Sequence, residues 1–197
     1  MHDIQENEGP KFGNKLSKGH VIFHRHKMNV KIAAQTFSSS VADALEFLMK
    51  SGHPAFEDAE GTIRFIRIID RLFDLLNIRN PFGKGYKKPL FLHDKARWLS
   101  VIEESINYLI NLTTDSDVKL IQHRRKTFVL GLVLTAIGIR DLSIRLLSRS
   151  EDPFKYILTY KVSEDHVELL FACIRGKNGY NNNPDVRQLK GALKRFC

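Results

Sequence analysis

Thr62-Ile63-Arg64-Phe65-Ile66-Arg67-Ile68-Ile69-Asp70-Arg71-Leu72-Phe73-Asp74-Leu75-Leu76-Asn77 is the stretch on which the fold turns. Ile63, Ile66, Ile69, Leu72, Phe73 and Leu76 recur at three- and four-residue steps, the period of a helix that buries one face; a strand would alternate. A helix from about Thr62 to Asn77 follows, ended by Pro81 and Gly83. The same period continues on both sides. Val30, Ala33, Ala34, Phe37, Val41, Ala44, Leu45 and Leu48 predict one helix over residues 30 to 50, stopped at Gly52 and Pro54. Trp98, Val101, Ile102, Ile106 and Leu109 predict another from Lys95 to Asn111. A fourth is read from about Val118 through Leu147, bent near Gly131 or Gly138. Between the second and third lies Asn80-Pro81-Phe82-Gly83-Lys84-Gly85-Tyr86-Lys87-Lys88-Pro89, a Gly/Pro/Lys loop that reads as a hinge. The fold class is mainly α.

Composition bounds what such a chain does. Its 197 residues are 43% hydrophobic and 27% charged, enough to bury a core and too apolar for wholesale disorder. The polar, acidic start His2-Asp3-Ile4-Gln5-Glu6-Asn7-Glu8 is unlike a secretory signal. The longest apolar run, Phe128 to Ile139, is too short to span a bilayer on its own, so no membrane partner is expected. Two cysteines, Cys173 and Cys197, make no disulfide framework, and there is no CxxC pair for zinc. The net charge of +9 favours a polyanionic partner. Much of it sits in the tail, where Arg175, Lys177, Arg187, Lys190, Lys194 and Arg195 face only Asp185. That cluster is either a phosphate-contacting surface for DNA or a solvated helix face.

After Pro153 the pattern changes. Tyr156-Ile157-Leu158-Thr159-Tyr160 is aromatic and β-branched and reads as a short strand. Ser163 is a good N-cap for a helix from Glu164 to about Arg175, with Glu164 and Asp165 complementing the dipole of its first turn. Pro184 opens a final helix to Cys197. In the Glu164 helix, Val167, Leu170, Phe171 and Ile174 share a face, and Glu168 falls at its edge, which predicts a half-buried carboxylate. Asp165 stands one turn before it. Two adjacent carboxylates suit a divalent metal; equally, Asp165 serves the dipole while Glu168 pairs with Lys161 or Arg175. No GxxxxGK[ST] loop is present, so any nucleotide site is built without one.

The segment Leu158-Thr159-Tyr160-Lys161-Val162-Ser163-Glu164-Asp165-His166-Val167-Glu168-Leu169-Leu170-Phe171, with Ile174-Arg175-Gly176 and Gly179-Tyr180-Asn181-Asn182-Asn183-Pro184, resembles the last catalytic segment of P-element-type transposases, including those that carry THAP domains. Asn14-Lys15-Leu16, Lys27-Met28-Asn29-Val30 through Ser38, Leu72-Phe73-Asp74-Leu75-Leu76-Asn77 and Arg124-Arg125-Lys126-Thr127 resemble the GTP-binding insertion domain of that family, in the same order. The resemblance implies a helical insertion domain over residues 1–152, followed at 153–197 by the C-terminal, helix-carrying part of an RNase H-like α/β fold.

It further implies GTP and Mg2+ as cofactors and DNA as partner, with a nuclear location and homo-oligomers in prospect. Carried over by motif, Glu168 is the third catalytic carboxylate and a metal ligand beside Asp165. Lys15, Val30, Phe73, Asp74, Asn77 and Asp165 hold guanine nucleotide. The chemistry suits each: a carboxylate accepts from the guanine N1–H and amino group, an aromatic stacks, and a lysine offers charge to phosphate. Glu164 stands where the family has Gln. The two other catalytic carboxylates of the family would precede residue 1. The resulting expectation is a truncated or domesticated transposase fragment that binds nucleotide and DNA without cutting; the alternative is a helical protein-interaction module that has lost nucleotide binding.

Overall fold

A computed structural model of the chain describes residues 16–25, 29–114, 116–177 and 179–194. Lys15 and Arg195 lie outside them. Eight α-helices follow in order among these residues: α1 Lys18–Val21, α2 Val30–Thr36, α3 Ser39–Lys50, α4 Glu60–Leu76, α5 Lys95–Asn111, α6 Thr127–Leu147, α7 Asp165–Lys177 and α8 Val186–Leu193. They contain no β-strand, only isolated antiparallel bridges. The protein is mainly helical.

α4 is the axis of the molecule. Its first half packs Ile63 and Ile66 against Val41 and Ala42 of α3. Its second half packs Leu72 and Leu75 into a larger core with Trp98, Ile102 and Leu109 of α5 and Val129, Val133 and Ala136 of α6. Serving two cores rotates the buried face from the one that periodicity predicts: Ile68 and Leu75 are buried, while Ile69, Phe73 and Leu76 are only half buried. α5 has the predicted bounds.

Three expected elements differ. The helix over 30–50 is two helices, broken where Ser38 is extended at φ −86°, ψ 151°. Ser38 Oγ donates to the Gln35 carbonyl at 2.8 Å, and the Ser39 N–H donates to Asp70 Oδ2 on α4 at 3.1 Å. An exposed first-turn amide is thus satisfied by another helix, which makes a second N-terminus stable at this point. The helix expected from Val118 starts at Thr127 instead. Before it the Leu120 N–H donates to the Leu112 carbonyl at 2.7 Å and the Thr114 N–H to that of Val118 at 2.9 Å. Tyr156–Tyr160 is not a strand. Ile157 exchanges two hydrogen bonds with Leu90, at 3.0 and 3.1 Å, and the chain then turns into a 3₁₀ segment, Thr159–Val162.

α6 runs unbroken across Gly131 and Gly138. At 21 residues it is, by length and composition, long and apolar enough to cross a membrane. Val129, Val133, Ala136, Ile139, Ser143 and Leu147 are buried along one face against the rest of the fold, while Phe128, Leu134 and Leu142 on the same helix are exposed.

The Gly/Pro/Lys loop, read as a hinge, is latched. Arg97 donates to Asp94 at 2.5 Å and to the Gly85 carbonyl at 3.2 Å, and Lys88 reaches Asp94 at 2.9 Å. Arg97 and then Lys88 hold the Asp94 carboxyl below the usual range. Gly83 is required here, since a Cβ would lie 2.1 Å from the Lys87 carbonyl oxygen. The latch delivers Lys87 to Asp74 of α4, with Nζ 3.3 Å from Oδ1.

The C-terminal segment is tied to the end of α4 by Thr159. Its buried hydroxyl donates to the Leu75 carbonyl at 2.7 Å and accepts from the Ile78 N–H at 2.9 Å, while the Tyr160 N–H donates to the Ile78 carbonyl at 3.2 Å. These bonds satisfy groups that a helix C-terminus leaves open. Thr159→Val keeps the shape and removes both hydroxyl bonds, stranding a buried N–H and C=O; a loss of about 1–3 kcal/mol is expected in urea unfolding followed by circular dichroism.

Candidate functional site

Asp70, Phe73, Asp74 and Asn77 stand at i, i+3, i+4 and i+7 of α4 and so share one face, which runs to the C-terminal end of the helix. At its start, Phe73 and Asp70 meet α2 around a cavity of about 90 Å³ that is lined also by Val30, Ala33, Ala34, Phe37 and Ile69. Val30 and Phe73, predicted separately from sequence, therefore line one apolar hollow. Further along, Asp74 carries Lys87. At the end, Asn77 closes the helix with its backbone N–H on the Asp74 carbonyl.

Here Arg79 gathers the site. Its Nε donates to Asn77 Oδ1 at 3.1 Å and its Nη2 to Asp165 Oδ2 at 3.2 Å, across 86 residues of sequence. The guanidinium carbon lies 4.0 Å from the centre of the Tyr160 ring, and that ring also packs on His166 at 5.0 Å. Tyr160, Asp165, Glu168, Leu169, Ala172 and Arg175 then line an open hollow of about 370 Å³. The predicted Asn77 and Asp165 thus meet through one cation. Arg79, Tyr160 and Lys87 were not singled out from sequence; the aromatic Tyr160 within the motif-bearing segment and the lysine-rich loop were the available signals.

The α7 helix differs from its expectation. Asp165 is its first residue, and the Glu164 carbonyl accepts from the Val167 and Glu168 amides at 2.8 and 2.9 Å, which makes Glu164 the capping position instead of Ser163. Ser163 Oγ is buried with no hydrogen-bond partner among the described residues. Glu168 is exposed rather than half buried. Of the apolar stripe only Ile174 is buried, whereas Val167, Leu170 and Phe171 are about half exposed. The period places these residues on one face correctly, but within the described residues α7 packs mainly on α8, and nothing larger covers that face.

Glu168 pairs with neither Lys161 nor Arg175, and no group of three His, Cys, Asp or Glu that could hold a metal occurs among the described residues. With the Asp165 carboxylate taken by Arg79, the two acids do not make a metal site by themselves. Glu168→Gln should therefore leave the melting temperature unchanged, as measured by calorimetry; a structural ion pair would make it fall.

In the tail, Arg187, Lys190 and Lys194 are exposed and share a face at i, i+3 and i+7 on and just after α8. Asp185 and Gln188 form its capping box, with the Gln188 N–H on Asp185 Oδ1 at 2.8 Å. Arg175 instead faces the hollow with Asp165 and Glu168, and Lys177 lies on the opposite side of α7.

Comparison with known proteins bears on this arrangement. Residues 1–89 match the family model for the TNP-like, GTP-binding insertion domain, and residues 160–194 match that for the TNP-like, RNase H C-terminal domain. The chain belongs to the P-element-type transposase family. It is 38% identical over 150 residues to the human DNA transposase THAP9, covering 76% of this chain and 17% of that protein. It is 22% identical over 193 residues to the transposable element P transposase of Drosophila melanogaster, covering 92% of this chain and 23% of that one. The chain thus spans about a fifth of the length of these relatives. In structure it is similar to a chain of the Drosophila P element transposase strand transfer complex, with a TM-score of 0.67 at 18% identity over 94% of this chain and 40% of that one. The fold is shared with that transposase.

Proposed function

We propose that these 197 residues are the guanine-nucleotide-binding and tail segment of a P-element-type transposase, with residues 1–152 as the insertion domain and 153–197 as the C-terminal part of the RNase H-like domain. The observation that carries the reading is the convergence of Asn77 and Asp165 at one end of the α4 face, with Val30 and Phe73 at the other. Asp165, Asp74 and Asn77 accept from the guanine edge, Phe73 and Val30 give apolar contact, and Lys15 meets phosphate. Glu168 serves as one carboxylate of a magnesium site completed by other parts of a transposase. A polypeptide of these residues alone supplies one corner of a two-metal centre and binds without cutting. Such a protein acts in the nucleus, on DNA.

Calorimetric titration with GTP and with ATP tests the reading. GTP should bind and ATP more weakly, because an adenine edge offers no N1–H and amino donor pair to Asp165; equal affinities, or no binding, would refute it. DNA contact is assigned to Arg175, Lys177, Arg187, Lys190, Lys194 and Arg195, sequence-independent and carried by phosphate. Its affinity should fall steeply with salt in a fluorescence titration, through counterion release. A helical interaction module without nucleotide binding is the second reading, favoured by the exposed Val167, Leu170 and Phe171 of α7. Absence of GTP binding would select it.

A further inference from the structure

We infer that Arg79 is a built-in stand-in for guanine, a guanidinium that fills the base-reading end of the site and must be displaced before nucleotide binds. The inference rests on the guanine-binding reading above and adds the residue that regulates it. Guanine is recognised through its N1–C2–N2 edge, a planar guanidine that presents two N–H donors side by side. The Arg79 side chain is the same functional group on a flexible stem. It donates from Nε to Asn77 Oδ1 at 3.1 Å and from Nη2 to Asp165 Oδ2 at 3.2 Å, and lies over the Tyr160 ring at 4.0 Å. Each of these three partners has its own use for a purine: an amide oxygen and a carboxylate accept from N–H donors, and an aromatic ring stacks on the base plane.

The energetics suit a plug that yields. Asn77 and Asp165 acquire their donors from a side chain that remains more than half exposed, as is nearly half of the Asp165 carboxyl, so the ion pair is weak and breaks readily. The cation–aromatic contact adds only modestly at such exposure. A weak internal competitor lowers apparent affinity in proportion to the fraction of molecules in which it is seated. Removing it should raise affinity for GTP by about three- to twentyfold while leaving ATP binding as it is. Arg79 is therefore a specificity-determining residue: a ligand enters only if it satisfies Asn77 and Asp165 better than a guanidinium does.

The test is calorimetric titration of GTP into the full chain, into Arg79→Ala and into Arg79→Lys, each checked for an unchanged circular dichroism melt. Tighter binding in Arg79→Ala, with Arg79→Lys between it and the parent, is the expected result. Guanidinium chloride well below denaturing concentration should then compete with GTP in Arg79→Ala more than sodium chloride does at equal ionic strength, since it refills the vacated place. GTP binding that weakens or does not change on removing Arg79, with the parent still binding, would overturn this inference and leave the guanine-binding reading standing. Failure of the parent and of both variants to bind GTP would overturn that reading and this inference with it.

Discussion

Trp98→Ala is expected to destabilise the protein by about 3–5 kcal/mol, the range for truncating a large aromatic in a packed core. Trp98 is fully buried between α4, α5 and α6, and its indole N–H donates to the Phe91 carbonyl at 3.0 Å. The substitution opens a cavity at the centre of the larger core and takes one of two donors from the Phe91 carbonyl, which keeps the Asp94 N–H at 3.3 Å. Against a total stability of about 5–15 kcal/mol for a domain of ordinary size, it removes a large share. Urea unfolding followed by circular dichroism at the helix signal is the measurement, because Trp98 is the single tryptophan and its loss takes the fluorescence probe with it. Trp98→Phe should lose less, since most of the volume stays.

Asp74→Ala is expected to weaken GTP binding by about 1.5–3 kcal/mol, the worth of a hydrogen bond to a charged group. Asp74 lies between Phe73 and Asn77 near the C-terminal end of α4, and the latched loop sets Lys87 on its carboxylate at 3.3 Å. Removing the acid takes away an acceptor and releases that lysine from its position. Calorimetry beside a circular dichroism melt of the same preparation separates binding from folding: Lys87 is mostly exposed while the Asp74 side chain is about a quarter exposed, so the loss counts as binding where affinity falls by more than the melt accounts for. An unchanged affinity would remove Asp74 from the site.

How far the sequence could be read depended on where each element found its partners. α5 was legible to the residue because its apolar positions and both of its ends are local. The break between α2 and α3 was hidden, because what stabilises it is Asp70 on a third helix satisfying the Ser39 amide. The false strand at Tyr156–Tyr160 had β-branched and aromatic residues, but a strand needs a neighbour, and Leu90 offers one bridge only. Glu168 shows the same limit for a site. Helical period fixes its angle around α7; its exposure depends on what covers that face, which period cannot supply. Phe73, Asp74, Asn77 and Asp165 were picked out by motif, and the structure puts Asn77 and Asp165 at one place. Arg79 was silent because a cation outside the helices has no periodicity, and its meaning lies in a carboxylate 86 residues away.

Burial is uneven between the helices that carry the site. α4, α5 and α6 share many fully buried side chains, whereas α7 and α8 contribute only Ile174 and Ala192 to the interior. Protein segments with so little burial open on their own, at a free energy well below that of global unfolding. The two acceptors that Arg79 joins therefore belong to units of different local stability, Asn77 to the better-buried part and Asp165 to a sparsely buried one. A ligand gripping both would spend part of its affinity on closing that labile unit, and in return would slow the exchange of its amides with solvent as occupancy rises. A ligand held by both acceptors would act as a rivet between a rigid plate and a loose one.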